Sequence, residues 1–125
     1  HRIALVAMEP YAAKAQGVTV GFYHAAFAYA NLGDLLQGYR DLQEQGMSPY
    51  RCINHGPTLS FYYRDPDGNE IEMQVDTFPD SASTNAFMKS EAFARNPIGV
   101  LVAPEDLIAR RAAGEADSSL LRRAD

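Results

Sequence analysis

The sequence predicts an α+β domain. Three observations carry that reading. Residues 18–29 alternate between two sets of apolar and aromatic side chains. A stripe of Leu32, Leu35, Leu36, Tyr39 and Leu42 follows at helical spacing. Three short strand-like segments come next, two of them joined by a strong turn. The order is strand, helix, then three strands. A chain of 125 residues has room for one domain. Its 46% apolar and 22% charged content is that of a folded chain rather than a disordered one.

The chain opens His1-Arg2-Ile3-Ala4-Leu5-Val6-Ala7-Met8, which reads as a buried strand. Termini ordinarily fray at the surface, so this opening predicts further natural chain upstream of His1. Residues 9–17, with Pro10 and Gly17, read as a loop. In 18–29, Val20, Phe22, His24, Ala26 and Ala28 share one face and Tyr23, Ala25, Phe27 and Tyr29 the other. Asn31 suits the N-cap of the helix and Gly46 its C-terminal cap. Gly38 lies inside that helix at a propensity cost of about 1 kcal/mol relative to Ala. Strands are predicted over 49–53, 58–64 and 71–75. The turn Asp65-Pro66-Asp67-Gly68-Asn69 joins the last two, Pro presetting one dihedral and Gly and Asn accepting positive φ. Ser81, Ser83, Thr84 and Asn85 read as a loop, and Asn96-Pro97-Ile98-Gly99 as a turn. A helix is predicted from Pro104 to about Ala113, with acids in its first turn, Arg110 and Arg111 in its last, and Gly114 ending it. A short helix is expected over 116–123. Leu101, Leu107, Ile108, Leu120 and Leu121 are expected to be buried in this C-terminal part.

Charge and cysteine content exclude several function classes. The net charge is −5 and no basic stripe exists, so no nucleic-acid partner is expected. The longest apolar runs, 3–8 and 25–30, are far short of the roughly 20 residues that span a bilayer, so no membrane partner is expected. Cys52 is the single cysteine. It cannot form an internal disulfide, reads as a small packing residue, and points to a cytoplasmic setting.

The residues able to carry chemistry are few. The histidines are His1, His24 and His55. Glu72 stands in a strand beside Ile71, Met73 and Val75. If the turn is centred on Asp67, Tyr62 lies directly across the hairpin from Glu72, on the same face. His24 shares its face with Ala26 and Ala28, which leaves room beside it. An imidazole with a carboxylate is a common donor set for divalent iron, and two His with one carboxylate and open positions mark non-haem Fe(II) oxygenases. Each residue also has an ordinary reading: a core histidine for His24, a surface carboxylate for Glu72, a loop residue for His55, a half-buried aromatic for Tyr62.

The pattern Ile53-Asn54-His55, Phe61-Tyr62, Asp65-Pro66-Asp67-Gly68 and Glu72 resembles the signature of type I extradiol ring-cleavage dioxygenases, of the catechol 2,3-dioxygenase or 2,3-dihydroxybiphenyl 1,2-dioxygenase type. These belong to the vicinal oxygen chelate, or glyoxalase–bleomycin resistance–dioxygenase, superfamily. The resemblance extends over Tyr23-His24-Ala25-Ala26-Phe27 and through Asn96-Pro97-Ile98-Gly99-Val100. It implies a fold of paired βαβββ modules. Residues 1–8 would be the last strand of a preceding module, 18–78 a complete module with the metal site, and 79–125 a C-terminal helical extension. It implies His24 and Glu72 as metal ligands, with a third ligand upstream of His1. His55 and Tyr62 would be catalytic and substrate-binding, hydrogen-bonding the diol or the bound oxygen, and His1 the acid/base. The implied cofactor is Fe(II), with Mn(II) suiting the same ligands. The implied partners are a catechol-type aromatic diol and dioxygen, in a homo-oligomer. The same superfamily holds two rival functions: a metal-free small-molecule binder of the bleomycin-resistance type, and a glyoxalase-type metal isomerase. A binder has no need of His24, His55, Tyr62 and Glu72 together. The isomerase has no need of His55 and Tyr62 at these spacings.

Overall fold

Alternation of small and large side chains makes His24–Ala28 a strand, β1. In the computed structural model, which describes residues 23–124, Asn31 ends the connection after it. Its backbone is extended, and its side chain accepts a hydrogen bond from the Asp34 amide at 2.9 Å. That cap opens α1, Leu32–Glu44, whose buried face is Leu32, Leu35, Leu36 and Tyr39. Just past the helix, Gly46 takes the left-handed φ of 77° that the C-terminal cap needs.

Three strands follow: β2, Arg51–Asn54; β3, Thr58–Arg64; β4, Glu70–Asp76. The turn between the last two is tied by its own Asp. The Asp65 carboxylate accepts from the Asn69 amide at 2.7 Å, and its carbonyl from the Gly68 amide at 2.9 Å. The element order is the one the sequence predicts, and the mixed α+β architecture with it. The strand expected over 49–53 lies two residues later at its start. The one expected over 71–75 gains a residue at each end. Residues 1–8, His1 and the first part of 18–29 lie outside the described residues.

The five strands form one sheet in the order β1-β4-β3-β2-β5, where β5 is Val100–Leu101. β1 runs parallel to β4, while the β4–β3, β3–β2 and β2–β5 pairs are antiparallel. A parallel neighbour requires a crossover, and α1 lies within the one that carries the chain from β1 to the rest of the sheet. One face of the sheet packs on α1: Leu59, Phe61, Tyr63, Val75 and Cys52 join the helix residues in a single core with Leu107 and Leu120. Burial pushes the Cys52 thiol up to about 12, as befits an inert packing residue. The other face carries His24, Arg51, Tyr62 and Glu72.

The chain beyond β4 differs from the sequence expectation in two places. Ser81, Ser83, Thr84 and Asn85 are not a loop but the body of α2, Ser81–Met88. Asp80 caps it, accepting from the Ser83 amide at 2.7 Å. Hydroxyl residues compete poorly for helix interiors on composition, but one good cap overrides that preference. Ser90 caps the next helix in the same way, α3, Glu91–Arg95. Leu101 is not buried. It is 78% exposed, because β5 is a two-residue strand that, among the described residues, pairs only with β2. Leu107 and Leu120 are buried, and Ile108 and Leu121 pack against the core in part. They belong to α4, Pro104–Ala112, to α5, Asp117–Leu120, and to the residue after it. α5 is shorter than the expected 116–123. The hydroxyl of Tyr39 reaches Glu105 in the first turn of α4 and so joins the two helices.

Gly38 has a packing reason. A Cβ there would lie 2.4 Å from the Tyr29 hydroxyl and 2.9 Å from its ring carbon. Gly→Ala in a helix ordinarily gains about 1 kcal/mol. Here Gly38→Ala is expected to lower stability instead, read as a fall in the urea midpoint, because the Tyr29 ring must move.

Candidate metal and substrate site

Register builds the site. β1 sets Ala26 beside Glu72, and β3 sets Tyr62 on the other side of Glu72. The row across the sheet is therefore Ala26, Glu72, Tyr62 and, from β2, Arg51. Ala26 contributes only a methyl, so the larger His24 one pair along can reach diagonally to the same carboxylate. His24 Nε2 lies 3.0 Å from Glu72 Oε2. The carboxylate side chain is 7% exposed and the imidazole 29%.

This separation can be tested against a metal. Two bonds of about 2.1 Å at a right angle place donor atoms about 3.0 Å apart. Neighbouring positions of an octahedral cation therefore fit the pair without movement. One nitrogen and one carboxylate oxygen are the donors that Fe(II) or Mn(II) takes. The inner nitrogen, His24 Nδ1, is buried and has no hydrogen-bond partner among the described residues. No group of three His, Cys, Asp or Glu side chains able to hold a metal occurs among the described residues. The pair thus fits as part of a donor set rather than as a whole one.

Next to the pair lies a hydrogen-bonded dyad. His55 Nε2 is 2.9 Å from the Tyr62 hydroxyl, and its Nδ1 contacts the Ile98 carbonyl. The rings of His24 and Tyr62 meet edge to face at 6.1 Å, and those of His55 and Tyr62 at 5.9 Å. Burial, then the neighbouring Glu72 carboxylate, pushes the Tyr62 phenol well above its ordinary range. That direction favours its protonated form, with one hydrogen to donate. Four of the sequence candidates, His24, His55, Tyr62 and Glu72, share one face and one neighbourhood. Tyr63, the next residue along, points into the core among Tyr39 and Phe61. His1 lies outside the described residues.

Two contributors escape the sequence reading. The Arg51 guanidinium lies 4.5 Å over the Tyr62 ring, a cation–π contact with its face. Its parity with Ile53 and its place opposite Tyr62 are the signal that could have found it. The second is the Ile98 carbonyl, which no residue type announces.

Comparison with known proteins places the chain in a family and gives two relatives. The family model described as "Glyoxalase/Bleomycin resistance protein/Dioxygenase superfamily" matches residues 1–73. Biphenyl-2,3-diol 1,2-dioxygenase 2 of Rhodococcus globerulus is 38% identical over 104 residues, which is 83% of this chain and 55% of that protein. Biphenyl-2,3-diol 1,2-dioxygenase 3 of the same organism is 40% identical over 106 residues, 85% of this chain and 56% of its own length. The chain spans about half the length of these curated relatives.

Proposed function

This chain belongs to the glyoxalase/bleomycin resistance protein/dioxygenase superfamily, and on that premise we propose that it carries part of the active site of an extradiol dioxygenase opening a catechol-type aromatic diol. The observation that supports this most is the convergence of His24 Nε2 and Glu72 Oε2 at 3.0 Å, with the His55–Tyr62 pair beside them. Of the site-bearing module expected over 18–78, the described part carries His24, His55, Tyr62 and Glu72. A third ligand is to come from outside the described residues.

His24 and Glu72 would hold Fe(II), and Mn(II) could take the same donors. When bound, the cation would supply Lewis acidity, lowering the pKa of a diol hydroxyl. The remaining work belongs to side chains. In the substrate-free site the one Tyr62 proton goes to His55 Nε2; turned to an oxygen anion of the diol, it leaves Nε2 free to accept a proton from the diol. His55, held by Tyr62 and the Ile98 carbonyl, offers Nε2 to the same hydrogen-bond network. His1 is the candidate acid/base that takes and returns a proton. Arg51 adds positive charge beside the anionic substrate. The partners are an aromatic diol and dioxygen, in a cytoplasmic homo-oligomer. No described helix is long and apolar enough to cross a membrane.

The test is an anaerobically iron-loaded full-length protein mixed with biphenyl-2,3-diol in air. Iron-dependent appearance of the yellow ring-opened product is expected; its absence overturns the reading. Tyr62→Phe is expected to lower turnover about 10–100-fold at unchanged iron content. That separates loss of a donor from loss of the metal.

A further inference from the structure

His55 is held by more of the chain than its neighbours in sequence. Its Nδ1 faces the Ile98 carbonyl, which can only accept. Nδ1 therefore carries the proton, and Nε2 presents its lone pair to the Tyr62 hydroxyl at 2.9 Å. The position of that carbonyl is set by a tight turn. The Asn96 side chain accepts from the Gly99 amide at 2.9 Å and donates to the Gly99 carbonyl at 3.0 Å.

Arg123 joins the turn to the histidine. Its side chain comes from beyond α5, and the residue is 8% exposed. Nη1 donates to the His55 carbonyl at 3.1 Å and to the Asn96 carbonyl at 2.8 Å. Nη2 donates to the Ala92 carbonyl of α3 at 3.1 Å. The guanidinium lies 5.0 Å over the Phe87 ring of α2. One planar fork thus fixes the distance between the His55 backbone and the turn that supplies the Ile98 carbonyl. A second stitch lies one residue earlier, where the Asn54 amide donates to the Leu121 carbonyl at 2.9 Å and its oxygen accepts from the Gly56 amide.

We propose that Arg123 is a positioning residue for His55: by bridging the His55 and Asn96 carbonyls it holds the Ile98 carbonyl against Nδ1 and so selects the tautomer in which Nε2 faces Tyr62. The catalytic consequence rests on the ring-cleavage reading above. The tautomer itself does not. Lysine at this position keeps the charge but lacks the fork, so it can serve fewer of the three carbonyls.

Imidazole nitrogen spectra of the isotope-labelled, iron-free full chain read the tautomer directly. The wild type is expected to show His55 as a single Nδ1-protonated form. Arg123→Ala is expected to give an average of both tautomers at His55, with the His24 signals unmoved. Arg123→Lys is expected to fall between the two. If Arg123→Ala does not fold, Arg123→Gln, which keeps a donor without the fork, carries the same expectation. A folded variant with an unchanged His55 spectrum overturns the proposal, as does a wild type protonated on Nε2. In the iron-loaded enzyme, Arg123→Ala is expected to lower kcat about 10–100-fold with KM changed far less, and Arg123→Lys to restore part of it. A wild type that opens no ring, yet whose His55 tautomer follows Arg123, sinks the ring-cleavage reading alone. Full ring cleavage with a tautomer indifferent to Arg123 sinks this one alone.

Discussion

Glu72→Gln is expected to abolish divalent-metal retention and to cut ring cleavage by more than about 100-fold, since losing even an outer partner of a metal ligand costs 10–100-fold. The substitution keeps the shape of the side chain, and Glu72 is 5% exposed and packed between Ala26 and Tyr62. The amide can still hydrogen-bond His24 and Tyr62, so the fold has no reason to change. What disappears is the negative charge that a hard divalent cation requires. Iron per chain after anaerobic loading and desalting measures the first effect, and initial rates of product colour the second. Far-ultraviolet circular dichroism should match the wild type. Unchanged iron stoichiometry together with unchanged rates would remove Glu72 from the metal site.

Gly99→Ala is expected to destabilise the chain by about 3 kcal/mol or more, from backbone strain and a backbone clash together. Gly99 has φ 108°, and a Cβ there would sit 2.2 Å from the Asn54 carbonyl oxygen and 2.7 Å from the His55 Cα. Neither atom is the free end of a flexible side chain. The strand end carrying His55 must therefore shift, or the turn must open. Gly114→Ala is the control: its φ is 93°, but nothing lies within 4 Å of the added carbon. It should cost only the strain, roughly 1–2 kcal/mol. With a urea slope of about 1–3 kcal/mol/M, the Gly99 variant should lose on the order of 1–3 M in midpoint. Equal losses for the two variants would show that the close approach to Asn54 carries no weight.

Much of this architecture can be read from local pattern. The spacing of Leu32, Leu35, Leu36 and Tyr39 gives the helix and its buried face. The Asp65–Asn69 turn sets the hairpin register, and with it Tyr62 opposite Glu72. Parity separates Tyr62 from Tyr63. The meeting of His24 with Glu72 is another matter. It depends on the parallel pairing of β1 with β4, a contact between distant parts of the chain that no short window contains. Only the resemblance of spaced motifs suggested it. α2 was hidden because Ser81, Ser83 and Thr84 look like a loop until Asp80 is recognised as their cap. Leu101 misled in the opposite sense: hydrophobicity announces a wish for burial but not whether an edge strand grants it. The hold on His55 was invisible for a third reason. Its partners are the Ile98, Asn96 and Ala92 carbonyls and an arginine far along the chain, and backbone oxygens leave no trace in residue identity.

The parallel pairing of β1 with β4 also orders events in time. His24 stands on the first described strand and Glu72 on β4, with the crossover helix and two strands between them. Hairpin contacts such as β3 with β4 close short loops and can form early, whereas the β1–β4 contact must first meet the entropy of a long closure. A half-assembled chain therefore presents an imidazole and a carboxylate far apart, with nothing to grip a cation between them. On the iron-site proposal, the two donors meet only once the crossover has docked.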